Sequence, residues 1–433
     1  MGIEYDRHHR QNLGRADNPH RLLDSPRVPG PTGYLPGEPV PGDVVAYFAD
    51  DPRQLYQLRQ WLPVLERLDG LHPVLVVTRD PQTYAEVRPL TALRCVLAPA
   101  FPDLMGLYES SHPKVAIYVN NSVYNFDSLV AGRMLHIHVN HGESDKVCMV
   151  SNQAKAYDRV FVAGVAAVRR HRAALIEFDE TKLVRVGRPQ LDLRPPPVLP
   201  PTTRRTILYA PTWEGENASN NYTSVDVHGP AVVAAALAVP DVRVVYKPHP
   251  RVAISPDPGM AAAHTQIVRC LEAAARRDPA AGHRVETAAD ILAVFPGNDL
   301  MITDVSSVGL DFLYLHTDKP LFVADRHNDR TRLYADAPVS RCADVVDAAT
   351  IGALTHTLAA RLDRDEHRPA REATRRHYFG DFAPGESTER FLAAVDNVLV
   401  TRDRLMGWND RPTEDDVTVA SLGATDEPQG RLA

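Results

Sequence analysis

The chain has 433 residues, of which 44% are hydrophobic and 24% charged, and its formal net charge is −7. This length predicts two domains, and no apolar run approaches the roughly 20 residues of a membrane-spanning helix. The acidic balance gives no support to nucleic-acid binding. The N-terminus lacks the apolar segment of a secretion signal, so we expect a cytoplasmic location.

Two short basic runs, at residues 169–172 and 371–376, stand out in this acidic chain. We expect both on solvated helix faces. A peripheral contact with anionic lipid at the inner face of the cytoplasmic membrane is the less favoured alternative.

The first 42 residues are rich in Pro, Gly and Arg without apolar periodicity, which predicts a flexible arm. From 43 to 193, short Val- and Ile-rich runs alternate with helical patterns, as in a Rossmann-like domain with a parallel sheet covered on both faces. The runs predicted as strands are 44–48, 73–77, 95–97, 115–119, 135–139, 160–162 and 183–186.

A proline-rich linker at 194–205 precedes a second alternation at 206–385, which predicts a second Rossmann-like domain. A final helix at 386–407 is expected to pack back, and the polar tail at 408–433 to be disordered. Two such α/β domains leave a cleft at the carboxyl ends of their strands, where open sheets of this kind bind ligands.

One polar cluster marks the expected start of a helix in the second domain. Thr303, Asp304, Ser306 and Ser307 follow a short apolar strand and precede a helical pattern. A helix start has unpaired N–H groups and a partial positive charge, and small hydroxyl residues let a phosphate come close. Taken alone, the cluster is more typical of helix capping; together with the clusters below, it predicts a phosphate site.

A second cluster follows the predicted strand 135–139 and contains His141, Gly142 and Lys146. An imidazole beside a glycine at a strand end is suited to take a proton from a hydroxyl, although a lone surface histidine is the more common case. His136 and His138, on the strand itself, have no third ligand at a convincing spacing, which makes a zinc site improbable.

Two more clusters follow the predicted strands 206–209 and 242–246. The first contains Trp213, a candidate for stacking on a base or sugar, with packing as its more common role. The second contains Lys247, His249 and Arg251, and flanking prolines hold the backbone extended around the histidine. An exposed histidine in a rigid turn is the alternative. If all these clusters surround one cleft, together they would form a suitable binding site for a diphosphate.

Five segments resemble, in this order, the motifs of the CDP-glycerol glycerophosphotransferases of the TagB/TagF type, which build teichoic acids. The segments are HGESDK (141–146), YAPTW (209–213), KPHP (247–250), TDVSSVGLDF (303–312) and KPLF (319–322). The resemblance extends from residue 135 to about 400. It implies a GT-B fold, in which two doubly wound parallel-sheet domains face a central cleft. The C-terminal domain would bind the donor nucleotide, and the acceptor would approach from the N-terminal one.

By this resemblance, His141 would be the general base, and His249 would support the transferring phosphate or the leaving group. Thr303, Ser306 and Ser307 would bind the pyrophosphate. The other matched positions expected to contact substrate are Gly142, Lys146, Trp213, Lys247, Arg251, Asp304 and Asp311. Two of these keep alternatives open: Asp304 as a cap or a helper to a histidine, and Asp311 on the ribose side or in the helix only.

The sequence therefore predicts transfer of glycerol phosphate, or a related polyol phosphate, from a CDP-linked donor to a hydroxyl acceptor, with release of CMP. The acceptor would be a polyol phosphate or a glycan-lipid of a cell-wall or surface polymer. We expect no cofactor, and no metal because no DxD pair lies near the helix start. One alternative is a glycosyltransferase that uses a nucleotide sugar, with Glu143 or Asp145 as base. The other is a non-catalytic nucleotide-binding protein.

Overall fold

The computed structural model describes residues 38–146, 149–383 and 385–409. Most of the predicted arm (1–42) and almost all of the predicted tail (408–433) lie outside the described residues. Of the arm, residues 38–42 are described; Val40 is buried, and its backbone N–H donates to Ser111 Oγ at 2.9 Å. Packing against the first domain therefore begins before residue 43.

The first sheet has seven parallel strands. They are β1 (Val44–Phe48), β2 (Val74–Thr78), β3 (Arg94–Leu97), β4 (Val115–Tyr118), β5 (Leu135–His138), β6 (Arg159–Val162) and β7 (Leu183–Arg185). Their order across the sheet is β3–β2–β1–β4–β5–β6–β7. The central strands are buried throughout, as expected for parallel strands covered by helices on both faces.

The helices that cover this sheet are short. They are α1 (Tyr56–Arg59), α2 (Leu62–Asp69), α3 (Pro81–Val87), α4 (Phe101–Ser111), α5 (Phe126–Leu129), α6 (Val165–Ala174) and α7 (Pro189–Asp192). The sequence predicts one helix over 54–68, but Pro63 lacks an N–H and occupies the first turn of α2, so a new helix starts there.

The second sheet has six parallel strands in the order β10–β9–β8–β11–β12–β13. They are β8 (Arg205–Ala210), β9 (Val242–Tyr246), β10 (Arg284–Val285), β11 (Leu300–Thr303), β12 (Leu321–Ala324) and β13 (Asp344–Val346). The remaining helices are α8 (Gly229–Leu237), α9 (Pro258–Arg277), α10 (Ile291–Val294), α11 (Ser307–Leu315), α12 (Arg330–Asp336), α13 (Leu354–Asp363), α14 (Arg368–Phe379) and α15 (Glu386–Asn409). Two parallel-sheet α/β domains confirm the predicted fold class.

The last helix, α15, returns to the first sheet. Phe391 is fully buried, and its ring centroid lies 5.3 Å from that of Trp61. The start of α15 is fixed by Asp192, whose carboxylate accepts the backbone N–H of Thr388 at 2.7 Å. None of the described helices is long and apolar enough to cross a membrane.

The two basic runs do not lie wholly on solvated helix faces, so that prediction is wrong for two arginines. Arg170 is mostly buried and pairs with Glu143 and Asp145. Arg371 is only 1% exposed; it pairs with Asp365 and donates to the carbonyl of Thr317 at 3.0 Å. Buried arginines occur where carboxylates or carbonyls satisfy the guanidinium, and sequence alone does not reveal those partners.

Candidate active site

A cavity of about 640 Å³ lies between the two domains. Its walls come from segments that directly follow β1, β4, β5, β8 and β9, and from the start of α11. These are the carboxyl ends of the parallel strands, where open α/β sheets place their ligand sites. The cavity is therefore the cleft that the alternation of strands and helices predicts.

The structure brings most of the predicted site residues to this cavity. Those that line it are His141, Gly142, Lys146, Trp213, Lys247, His249, Arg251, Ser306 and Ser307. The three that do not line it are Thr303, Asp304 and Asp311.

A tight turn after β5 presents His141 to the cavity. Asn140 has a positive φ of 54°, a conformation that asparagine tolerates better than most residues, and its Oδ1 accepts the backbone N–H of His141 at 2.8 Å. The carbonyl of Asn140 accepts the indole N–H of Trp61 at 2.7 Å, which fastens the turn to α2. Within the described residues, Nδ1 of His141 is buried and has no hydrogen-bond partner.

Tyr56 connects the two candidate histidines. Its ring packs edge-on against both imidazoles, with centroid distances of 5.7 Å to His141 and 5.2 Å to His249. His249 also stacks near Trp213, at 6.0 Å and an interplanar angle of 29°. The loop after β5 in one domain and the loop after β9 in the other thus meet at one aromatic ring.

Both imidazoles are held neutral. Burial lowers the pKa of His141 to about 4, and the charges of Arg188 and Lys146 add to the effect. Burial also holds the pKa of His249 well below its ordinary value, with the cations around the cavity contributing. Each ring therefore has an unprotonated nitrogen at neutral pH, as a proton acceptor requires.

The orientation of His249 is fixed by its own loop. Nδ1 accepts the backbone N–H of Arg251 at 3.2 Å, so the proton of the neutral ring lies on Nε2. The backbone N–H of His249 donates to the carbonyl of Pro211 at 3.1 Å, which joins this loop to the one after β8. The Arg251 guanidinium lies 3.9 Å from the centroid of Trp213, so at least part of the indole contacts protein.

Cationic groups and the start of α11 complete the C-terminal half of the cavity. Lys146 donates to Thr212 Oγ1 at 3.0 Å, and the mostly buried Lys247 has its pKa lowered by burial. Ser306 is the N-cap of α11 but makes no side-chain capping hydrogen bond. The uncapped first turn therefore has N–H groups that an anion can use.

Gly142 and Ser307 form a close contact between the domains. A Cβ atom added at Gly142 would lie 2.9 Å from Cβ of Ser307 and 3.2 Å from its Oγ. Only glycine lets the loop with His141 pack directly on the start of α11. The space beside Gly142 is thus filled by Ser307 of the second domain.

Thr303 and Asp304 fasten the turn before α11 instead of lining the cavity. The Thr303 hydroxyl is fully buried and donates to the carbonyl of Ala210 at 2.8 Å. Asp304 accepts the backbone N–H of Thr212 at 2.7 Å, and burial raises its pKa to about 7. Neither side chain lines the cavity, and both hold the loop after β8 in place.

Asp311 bridges the domains, which differs from both roles considered for it. Its carboxylate pairs at 2.8 Å with Arg188, and both side chains are buried. Burial raises the pKa of Asp311 to about 6, although the arginine opposes the shift. Arg188 also donates to the carbonyl of His141 at 3.4 Å, so this ion pair supports the loop that holds the histidine.

The carboxylates of Glu143 and Asp145 lie behind the histidine loop. Both pair with Arg170, Asp145 also accepts the Tyr378 hydroxyl, and neither lines the cavity. Burial raises the pKa of Asp145 to about 7. This geometry weakens the interpretation of either residue as the base of a glycosyltransferase.

His136 and His138 belong to the core of the first domain. His136 Nδ1 lies 2.9 Å from the hydroxyl of Tyr118, and His138 stacks on Tyr157 at 4.9 Å. No group of three or more His, Cys, Asp or Glu arranged to hold a metal occurs among the residues that the structure describes.

Several cavity residues had no local signal in the sequence. Tyr56 precedes both histidines by more than 80 positions, Gln57 lies on α1, and Asp50 and Asn120 follow strands without forming a motif. The general rule that strand ends meet at one edge could have indicated Asp50 and Asn120. Contacts of Tyr56 depend on how the two domains meet.

Comparison with known proteins adds a family and a fold. Residues 198–397 match the family model described as CDP-glycerol:poly(glycerophosphate) glycerophosphotransferase. No curated protein matches the chain.

Among solved structures, the wall teichoic acid polymerase TagF is 13% identical, with a TM-score of 0.53 over 83% of this chain and 90% of that chain. A glycosyltransferase from Rickettsia africae is 12% identical, with a TM-score of 0.50 over 83% of this chain and 99% of that one. MnaA of S. aureus with UDP is 11% identical, with a TM-score of 0.50 over 83% and 97%.

At these identities the neighbours show the fold, and the family model covers the second sheet domain with the loops that carry Trp213, His249 and Ser307. The second domain therefore matches the CDP-glycerol:poly(glycerophosphate) glycerophosphotransferase family, which indicates a transferase of that kind, and the chain has a GT-B-like fold.

Proposed function

We propose that this protein transfers glycerol phosphate, or a related polyol phosphate, from a CDP-linked donor to a hydroxyl group of a surface-polymer acceptor. The observation that carries the proposal is the single cavity in which an uncapped helix start and several cations face two neutral histidines. The family match and the fold shared with a teichoic acid polymerase support it.

In the proposed reaction, the acceptor oxygen attacks the donor phosphorus that bears the polyol. The new P–O bond forms as the bond to the bridging oxygen of the diphosphate breaks, and CMP leaves with the electron pair. His141 takes the proton of the acceptor hydroxyl, since it lines the cavity and burial keeps its ring neutral. Positioning and electrostatic stabilisation supply most of the rate in such transfers.

Burial and two nearby cations lower the pKa of His141. These cations are Arg188 and Lys146, and a bound diphosphate would offset their charge. Binding of the donor should therefore raise the pKa of the base toward its ordinary value and strengthen it when the acceptor is present. A base that becomes strong only when both substrates are bound would limit hydrolysis of the donor by water.

His249 and the cations suit the leaving group. The Nε2–H of His249 can donate to a phosphate oxygen because Nδ1 is occupied by a backbone N–H. Lys247, Arg251 and the first turn of α11 line the same half of the cavity and can stabilise the charge that develops on CMP.

The alternatives make different predictions. The glycosyltransferase alternative has Glu143 or Asp145 as its base, and both are paired with Arg170 outside the cavity. A non-catalytic protein would bind the nucleotide without turnover. The cytoplasmic or peripheral location and the independence from cofactors stay predictions.

The test is incubation with CDP-glycerol, CDP-ribitol and a set of UDP-sugars, with mass spectrometry of the released nucleotide. We expect CMP from a CDP-polyol, and at least a hundredfold loss of turnover in His141→Ala. His356→Ala, a change on the exposed side of α13, is the matched control and should keep full activity. Release of UDP, or nearly full activity of His141→Ala, would contradict the proposal.

A further inference from the structure

The N-terminal half of the cavity contains a polar cluster that the donor site does not use. Asp50 follows β1, Asn120 and Ser122 follow β4, and Gln57 lies on α1; all four line the cavity. Asn120 Nδ2 donates to Asp50 Oδ2 at 2.8 Å and to Gln57 Oε1 at 2.9 Å, and the Ser122 hydroxyl donates to Asp50 Oδ1 at 3.0 Å. These bonds fix the three side chains around the carboxylate.

The cluster has an unused acceptor. Asn120 is only 4% exposed, and its Oδ1 is buried without a hydrogen-bond partner among the described residues. A buried amide oxygen without a donor costs free energy, so a ligand that donates a hydrogen bond to it would be stabilised. The Asp50 carboxylate next to it keeps further capacity to accept. Both groups require a ligand that donates hydrogen bonds.

The charged groups that line the two halves of the cavity differ. Lys247, Arg251 and the positive end of α11 lie in the C-terminal half together with Glu216 and Asp290, whereas Asp50 and Arg59 line the N-terminal half. Burial raises the pKa of Asp50, with the nearby Asp51 and Glu216 adding smaller contributions. A phosphate beside this carboxylate would be repelled, but a neutral hydroxylated group would not.

The cluster is also next to the candidate base. Gln57 Nε2 donates to the hydroxyl of Tyr56 at 3.2 Å, and the Tyr56 ring packs against both histidines. The cluster is therefore connected to the histidines through one side chain.

We propose that the cluster formed by Asp50, Gln57, Asn120 and Ser122 binds the neutral polyol or sugar at the reacting end of the acceptor. Its hydroxyl groups donate to Asp50 and to Asn120 Oδ1, which directs one of them toward His141. An acceptor that ends in a free phosphate is disfavoured by Asp50. This inference rests on the proposed function, because it names the acceptor of the same transfer.

The test compares two soluble probes, a neutral glycoside with vicinal hydroxyl groups and the same glycoside ending in a phosphate monoester. In Asp50→Asn, we expect the KM for the neutral probe to rise about tenfold, because a hydrogen bond to a charged acceptor is lost. The KM for the phosphate-ended probe should fall, because the repulsion is removed. In Asp51→Asn, the KM for the donor and the KM for either probe should not change.

Asp51→Asn is the matched control, because it removes the same charge from the neighbouring residue, whose side chain does not line the cavity. Opposite shifts for the two probes are not expected from loss of structure, and thermal unfolding of each variant confirms that it is folded. Equal shifts for both probes, no shift, or a wild-type preference for the phosphate-ended probe would overturn the inference.

Binding of the neutral probe, measured by ligand-detected NMR, separates this inference from the proposed function. If the wild type releases no CMP from any CDP-polyol, the proposed function fails. Loss of binding in both Asp50→Asn and Asn120→Ala would still support the polyol site. A wild type that does not bind the neutral probe would overturn it.

Discussion

The ion pair between Arg188 and Asp311 gives the sharpest test of how the domains are held together. Each side chain is only 6% exposed, and the pair joins α11 of the second domain to the segment before α7 in the first. Asp311→Ala would leave the guanidinium buried and without its carboxylate. Removing one partner of a buried pair typically costs about 3–5 kcal/mol.

The surface pair of Arg332 and Asp336 is the matched control, since its side chains are 53% and 54% exposed. Asp336→Ala should cost no more than about 1 kcal/mol, because solvent screens such pairs. At pH 7.5 we therefore expect the midpoint of thermal unfolding to fall by roughly 10 °C in Asp311→Ala and by no more than about 4 °C in the control.

The raised pKa of Asp311, at about 6, indicates that burial outweighs the attraction of Arg188. Replacing both partners with apolar residues, as in Arg188→Met with Asp311→Leu, should therefore recover most of the lost stability. Calorimetry and urea unfolding measure these differences. If Asp311→Ala were no less stable than Asp336→Ala, the pair would not be the buried contact that we describe.

Two further predictions concern the histidine loop. The pKa of His141 is lowered to about 4, and the base must be unprotonated, so kcat/KM for the donor should stay high through pH 6.5 and be lost as the pH falls through about 4. The acid limb of kcat should lie at higher pH, because the bound diphosphate raises the pKa. Gly142→Ala should lower kcat/KM by about a hundredfold, since its Cβ would meet Ser307 at 2.9 Å and displace the loop.

Each of these has a clear contrary result. An acid limb of kcat/KM near pH 6.5, with folding verified by circular dichroism, would mean that the base is not desolvated. For the glycine, Gly132→Ala is the control, because a Cβ there meets nothing within 4 Å. Equal kinetics of the two variants would show that the contact with Ser307 does not position the base.

The sequence was most informative about strands and the residues that follow them. Parallel strands buried on both faces read as Val- and Ile-rich runs, so β1, β2, β4, β8, β9 and β11 were predicted within a residue or two at each end. Helices α4, α12 and α14 were not predicted. Of these, α4 does bury an apolar face, with Leu104, Leu107 and Tyr108, and α14 is rich in arginine with Tyr378 and Phe379 buried at its end.

The limits of prediction in the site have one physical cause. A motif gives the position of a side chain along the chain, but its partner across the cleft is set by the packing of the domains. Thr303 belongs to a phosphate-like motif, yet its hydroxyl is used by the neighbouring strand. Asp311 likewise meets Arg188, 123 positions away, for which no local pattern exists.

The return of α15 to the first sheet means that the polypeptide passes between the domains twice, once before β8 and once between α14 and α15. Two connections between domains allow relative rotation about the line that joins them and restrict rotation about other axes. Because Phe391 of α15 is buried against Trp61, α15 cannot leave the first domain without exposing part of that domain's core. Opening for substrate exchange should therefore follow one path, along which His141 and the start of α11 separate and meet again in register.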